Sequence, residues 1–418
     1  KRLYGLYTAA FVLFVIAMGL FERVGMARTT IGYVFLAATV LAYAGIGIIT
    51  RTNDATEYYV AGRRVPAMFN GMATAADWIS AASFIGLAGS LYLNGYAGLA
   101  YVMGWTGGYV LIAVFLAPYL RKFGQYTIPD FFGARYGGHI PRLIALLIVC
   151  LISFTYVVAQ IYGVGLITTR LTQVPFEVGI WLGLGGVLVC SFLGGMRAVT
   201  WTQVAQYIIL AIAYLVPVIW LSVQQTGVPI PQLIYGQQLA KVTALEKQLA
   251  QDPAELEVRR LFAERAAAAR ENLKDPIAAL ARGRQALEAD VAAARLSGDI
   301  QRRHRAEVAL GNWPADEASA RKRWLAEARL DERAKPPLPH AEPFPGATQA
   351  ERDLGRRNFL ALVFCLTLGT AALPHILMRF YTTSSVREAR RSVGWSLFFI
   401  FLVYFTAPAL AVLVKYVI

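Results

Sequence analysis

The chain has 418 residues, 57% hydrophobic and only 16% charged, with a mean hydropathy of +0.48; this excludes an ordinary soluble domain with a charged surface. Forty Lys and Arg against 26 Asp and Glu leave a net charge of +14, but 19 of the acids and 22 of the bases fall between residues 224 and 357. The rest of the chain carries 18 bases and seven acids, a surplus that fits basic membrane loops and not a nucleic-acid groove. The cysteines, Cys150, Cys190 and Cys365, sit in apolar runs without metal-ligand spacing, so neither a disulfide framework nor a zinc site is supported. The chain opens on Lys1 and closes on Ile418 within an apolar run, and reads as a piece of a longer protein.

A helix needs about 20 mostly apolar residues to cross a bilayer, because its backbone groups find no partners in lipid. Runs of that kind cover 7–22, 29–50, 66–92, 97–119, 141–168, 177–194, 201–223, 358–380 and 391–418, which predicts about nine spans of an all-α integral membrane protein. The first run follows Lys1-Arg2 as a secretory signal would, but no small-residue cleavage site comes after it, so it reads as a span. With the amino terminus inside, the cytoplasmic stretches hold fourteen Lys and Arg, Arg379 among them, and the short outer loops hold three. That bias fixes the orientation and puts the segment 224–357 outside.

The segment 224–357 changes character. Leu239 to Ala250 and Ile277 to Glu288 set Leu and Ala on one face at helical spacing with charges opposite, as amphipathic helices do. Asp252-Pro253 and Asp275-Pro276 read as helix starts, and Pro336 to Pro345 as an extended return to the membrane. The reading is a charged, α-helical extramembrane insert, either a solvated bundle or a docking module for an unknown partner.

Six of the seven acids outside the insert fall in loops or at helix ends, and Asp77 alone lies within a span. An acid at membrane depth is costly and normally faces a cavity or a partner; a structural pairing with a donor on a neighbouring helix is the alternative. Gly71, Thr74, Ser80, Ser83, Gly86, Gly89 and Ser90 make the same span small and polar, which permits local unwinding and exposes carbonyl oxygens that suit a hard cation. Small residues also allow close helix packing with no ligand at all. A second interruption comes at Pro374, with Gly369 and Thr370 one turn before it, and predicts a broken helix. His375 beside it is the histidine at membrane depth, placed either to donate to an anion or to bond a backbone carbonyl.

Two interrupted spans separated by a long gap point to an inverted-repeat transporter with its site at the midplane. The stretches Tyr58 to Arg64, Ala76 to Gly86, Tyr119 to Phe131 and Gly369 to Thr382 resemble the sodium:solute symporter family, in its acetate-permease-like monocarboxylate branch. The resemblance covers about residues 30–223 and 358–418. It implies a LeuT-like core of two inverted five-helix repeats, with two peripheral helices and a cytoplasmic loop over 1–65, the first repeat over 66–223, the insert over 224–357 and the first two helices of an incomplete second repeat over 358–418. It further implies Na⁺ held by the carbonyls of Ala76 and Ile79 with Asp77 beside it. The hydroxyl ligands of the partner helix have no counterpart in this chain. Ser80, Ser83, Gly369, Thr370 and His375 would face the substrate.

The function so implied is sodium-coupled symport of a small monocarboxylate such as acetate across a bacterial inner membrane, with no cofactor beyond the coupling ion. Pyruvate, lactate, propionate or proline are the rival solutes, and a symporter-like membrane sensor is the rival class. No nucleophile–base pair, phosphate-binding glycine loop or metal cluster is legible, so an enzyme is not expected.

Overall fold

A computed structural model describes residues 2–297, 299–330, 334–335 and 339–417. The described residues are helical, with no sheet, and an isolated β-bridge joins Val65 to Thr383. Contacts divide the chain into two compact units, one of Lys1–Val242 with His340–Ile418 and one of Thr243–Pro339.

The first unit begins with α1 (Arg2–Arg23) and α2 (Arg28–Ile49), each long and apolar enough to cross a bilayer. A short α3 (Ala55–Val60) follows, capped by Asp54, whose side chain accepts from the Glu57 amide. The third predicted run is not one helix. It divides into α4 (Ala67–Trp78) and α5 (Leu87–Asn94), with π-helical turns over Ala82–Gly86 between them. The chain then turns at Gly95 into α6 (Leu99–Leu111) and, through a second π-helical segment, α7 (Ala117–Phe123). A short α8 (Ile128–Tyr136) leads to α9 (His139–Thr172) and α10 (Phe176–Thr226), the last kinked at Gly195.

After α11 (Pro231–Gln251) and the second unit, α16 (Gln349–Ala371) re-enters the apolar bundle. It starts at a capping box in which Thr348 and Glu351 satisfy each other's backbone amides. A 50° bend separates it from the short α17 (Pro374–Leu377), where Pro374 takes the first helical turn, the position that tolerates a missing N–H. The unit closes with α18 (Val386–Tyr404) and α19 (Ala407–Val417).

Six long apolar helices and the bent pair α16–α17 are thus found among the described residues, where nine spans were predicted. Two runs account for the difference: 66–92 is interrupted at Ile79–Ser80, so neither half reaches the length of a span, and 177–194 forms the part of α10 before the kink at Gly195, which is not among the six.

Packing in this unit depends on missing side chains. A Cβ on Gly71 of α4 would stand 2.5 Å from the Cβ of Trp395 on α18, and one on Gly108 of α6 would fall on the Thr370 hydroxyl of α16. Close backbone approach of this kind gives helices dispersion contacts that lipid cannot match. The core gathers where α4, α6, α10 and α18 meet, around Trp78, Tyr109, Tyr207, Phe380, Tyr381 and Ile400.

The second unit contains α12 (Pro253–Lys274), α13 (Pro276–Leu296), α14 (Ile300–Gly311) and α15 (Glu317–Ala328). Each begins at an aspartate, Asp252, Asp275, Asp299 or Asp316, whose carboxylate accepts from free amides of the first turn. Both Asp-Pro helix starts read from the sequence are found. The core is small: Trp324 packs with Ala269, Ala279 and Ala320, and Trp313 donates from Nε1 to the Leu280 carbonyl at 3.1 Å. Solvated ion pairs at helical spacing, such as Arg284 with Glu288 and Arg321 with Glu317, cover the outside and add only a few tenths of a kcal/mol each. The predicted Pro-rich return lies partly outside the described residues.

Candidate functional site

The helical ladder fails at the end of α4. Ile79 leaves helical geometry at ψ 73°, and the Ser80 amide turns to the Trp78 carbonyl at 3.0 Å instead of reaching back four residues to Ala76. The Ser83 amide bonds the Ser80 carbonyl at 3.1 Å, one residue short of the pairing that would serve Ile79. Among the described residues no backbone amide donates to the carbonyls of Ala76 and Ile79. Unserved carbonyls inside an apolar bundle are costly, and a cation or water is what such groups take up.

Neighbouring helices brace the break. From α9, Tyr156 donates to the Asp77 carbonyl at 3.4 Å, and one turn later Gln160 Oε1 accepts from the Ala81 amide at 3.4 Å. Ser83 turns its hydroxyl to the Ser80 carbonyl at 3.2 Å. The hydroxyl predicted to meet a substrate is therefore turned into the loop.

The Asp77 carboxylate, expected beside a visiting cation or paired with a donor on a neighbouring helix, accepts at Oδ2 from Arg379 Nε at 2.5 Å and at Oδ1 from the Gln203 side-chain amide. Arg379 also donates from Nη1 to Thr200 at 2.8 Å. Thr200 and Gln203 lie three residues apart on α10, hence on one face. Arg379 had been counted with the cytoplasmic loops, yet it is buried in the 3₁₀ turn after α17. That turn is anchored in its own right: Thr382 donates to Asn70 Oδ1 at 2.8 Å, and Asn70 Nδ2 donates to Ser392 on α18 at 2.8 Å. The two broken helices are joined through this buried polar network.

His375 lies close by, its ring 4.4 Å from that of Tyr156, and its buried Nε2 has no hydrogen-bond partner among the described residues. Gly369 and Thr370 are placed elsewhere. The Thr370 hydroxyl donates to the Leu366 carbonyl at 2.6 Å and abuts Gly108, while Gly369 faces open space. The structure thus brings Ala76, Asp77, Ile79, Ser80, Ser83 and His375 around one break and leaves Gly369 and Thr370 outside it. Sequence reasoning missed Arg379, Gln203, Tyr156 and Gln160. A charge signal existed for the first, since Arg379 lies inside the apolar run 358–380, one helical turn beyond His375.

Two cavities flank the second break, one of about 980 Å³ reaching from Tyr126 and Asp130 to Pro374 and Met378, the other of about 580 Å³ between α9 and Leu368, Ala372 and Pro374. Neither is lined by Ser80, Ser83 or His375.

Long apolar helices, together with two interruptions set around buried polar side chains, define a multi-pass integral membrane protein. The model of the sodium:solute symporter family matches residues 58–277, more than half of the chain, and the chain belongs to that family. It is 52% identical over 99% of its length to an uncharacterized symporter of Cupriavidus necator, of which it spans 62%, and 25% identical over 87% of its length to a monocarboxylic acid transporter of Corynebacterium glutamicum, of which it spans 51%. The chain therefore covers less than two thirds of these relatives. A solved Na⁺-coupled sialic acid symporter, in its substrate-bound outward-open state, aligns at a TM-score of 0.44 and 17% identity over 92% of this chain and 78% of its own.

Proposed function

We propose that the protein carries out sodium-coupled symport of a small monocarboxylate, acetate being the first choice, across a bacterial inner membrane. The observation that carries this reading is the pair of carbonyls left without amide donors at Ala76 and Ile79. Oxygen ligands suit a hard cation, and an unwound helix supplies them at membrane depth without a carboxylate. Asp77, neutralised by Arg379, then acts on the break and not on the ion: the pair fixes the carbonyls in place. A LeuT-like reading would set the first inverted repeat over 66–223 and the opening helices of the second over 358–418.

For the substrate, His375 offers the uncommitted buried nitrogen and Ser80 a hydroxyl at the same break, while the Ser83 hydroxyl would have to leave the Ser80 carbonyl to join them. A carboxylate needs a few aimed donors more than a large pocket, and an anion beside a bound cation offsets the desolvation of both. That mutual offset couples an inward Na⁺ gradient to uptake. The relative from Corynebacterium glutamicum that transports monocarboxylic acids by its name adds weight to the acid over a sugar or an amino acid.

The test is uptake of labelled acetate into vesicles after a jump in outside Na⁺, set against an equal jump in K⁺, with pyruvate, lactate, propionate and proline as competitors. Uptake driven by Na⁺ alone and blocked by short carboxylates is the outcome that supports the reading. Equal uptake after both jumps removes the sodium coupling, and strong competition by proline with none by carboxylates removes the substrate class.

A further inference from the structure

Arg63 and Arg121 converge on Gly124. Arg63 donates from Nη2 to the Gly124 carbonyl, and its guanidinium lies 5.3 Å from the centre of the Tyr126 ring. Arg121 donates from Nε to the Thr383 carbonyl at 2.7 Å and from Nη2 to that of Ser384 at 2.9 Å. Both guanidinium groups are therefore held in place by neutral partners. Each keeps Nη1 uncommitted among the described residues, and both Nη1 atoms aim at one spot: a Cβ on Gly124 would lie 3.0 Å from that of Arg63 and 3.9 Å from that of Arg121.

Two fixed positive charges at such range repel unless an anion joins them. No carboxylate lies within ion-pair distance of either among the described residues, because the nearby acids are engaged, Glu57 with Arg197 and Asp130 with Arg142. The chain also goes out of its way to bring Arg63 there. Ala61, Gly62 and Arg63 have φ of 50°, 63° and 53°, a left-handed run that costs conformational energy at both non-glycine positions. A general preference for basic cytoplasmic loops explains Arg64 and Lys122, which are exposed and whose side chains make no hydrogen bond or ion pair among the described residues; it does not explain a strained turn that pins one arginine against another.

We infer that the spot over Gly124, flanked by Nη1 of Arg63 and Nη1 of Arg121, binds a phosphate-type oxyanion presented by the headgroup of an anionic phospholipid. Depth selects the source. Arg121 lies in the last turn of α7, at the end of the apolar stretch Leu87–Phe123, which is where a bilayer passes into its headgroups. Because Arg121 also ties α7 to the carbonyls that follow Arg379, a lipid bound here would brace the segment carrying the second broken helix. This inference does not depend on what the protein transports.

The test reconstitutes the chain in nanodiscs of phosphatidylglycerol mixed with phosphatidylcholine, and counts lipid retained on the protein by native mass spectrometry. The expected result is a preference for phosphatidylglycerol of about tenfold or more, lost in Arg63→Gln. Gly124→Asp places an internal carboxylate between the two guanidinium groups, and is expected to abolish the preference with Arg63 intact; it decides the matter should Arg63→Gln fold poorly. Equal retention of the two lipids by the unaltered chain, or a preference that survives both substitutions, overturns the inference. A parallel melt with millimolar inorganic phosphate separates the sources: stabilisation by phosphate that needs Arg63, without any lipid preference, overturns the headgroup and leaves a site for a soluble oxyanion.

Discussion

Arg379 and Asp77, 302 positions apart in the chain, form an ion pair of 2.5 Å in which the arginine side chain is 2% exposed and the aspartate 10%. The pair links the broken end of α4 to the turn after α17, so a buried charge contact joins the two interrupted helices.

Breaking such a pair from one side leaves an uncompensated buried charge, at a cost of about 3 to 5 kcal/mol. Asp77→Asn and Arg379→Gln are each expected to lower the melting temperature and to abolish Na⁺-driven uptake, with the protein still inserted. The double substitution is expected to recover most of the stability and little of the uptake. Thermal melts of the three variants check this, and a double variant no more stable than the worse single one would contradict it.

His375 stands against Tyr156 with its Nε2 unpartnered. His375→Ala is expected to raise the apparent KM for the carboxylate about tenfold or more while the dependence on Na⁺ is kept, since a hydrogen bond to a charged group contributes about 1.5 to 3 kcal/mol. Initial rates against substrate concentration measure the effect, and an unchanged KM would leave His375 a packing residue.

Gly108 meets Thr370 so closely that any added methyl must displace the α6–α16 contact. Gly108→Ala is expected to destabilise the protein by about 1 to 3 kcal/mol through overpacking. Thr370→Ala in the same chain should recover part of that loss, because it removes the hydroxyl but not the Thr367 carbonyl 2.9 Å away. A melt in detergent distinguishes partial rescue from simple addition.

In the second unit, the Arg302 amide holds the Asp299 carboxyl below its ordinary 3.8, and the Ser319 amide does the same for Asp316. A depressed folded pKa stabilises the charged form, so its contribution is present above 3.8 and is lost as pH falls through the lower, folded value. Protection of the Arg302 and Ser319 amides from hydrogen exchange is expected to persist down to about pH 4 and to fall below it. Asp316→Asn keeps an acceptor at the cap and should remove the pH dependence at Ser319; a profile unaltered by that substitution would contradict the assignment.

Much of this was legible in the residues. Asp252-Pro253 and Asp275-Pro276 start helices because capping needs only local chemistry, and the interruptions at Ser80 and Pro374 follow from a small polar stretch and a missing amide. The rotation of a helix about its axis was not legible. Thr370 stands one turn before Pro374 as a substrate ligand would, yet its phase on α16 turns it to Gly108. Nor could the sequence show that Asp77 is answered by Arg379, because pairing across such a separation is decided by the packing of α4, α10 and the turn after α17. A structural donor had been the alternative reading of Asp77, and it is the one the geometry favours.

The most direct measurement of the central claim is hydrogen exchange across residues 75–84 in the purified protein, compared in NaCl and in KCl at equal ionic strength. Slower exchange in Na⁺, confined to the amides around Ile79 and Ser80, is the predicted result. Identical exchange in the two salts would contradict it.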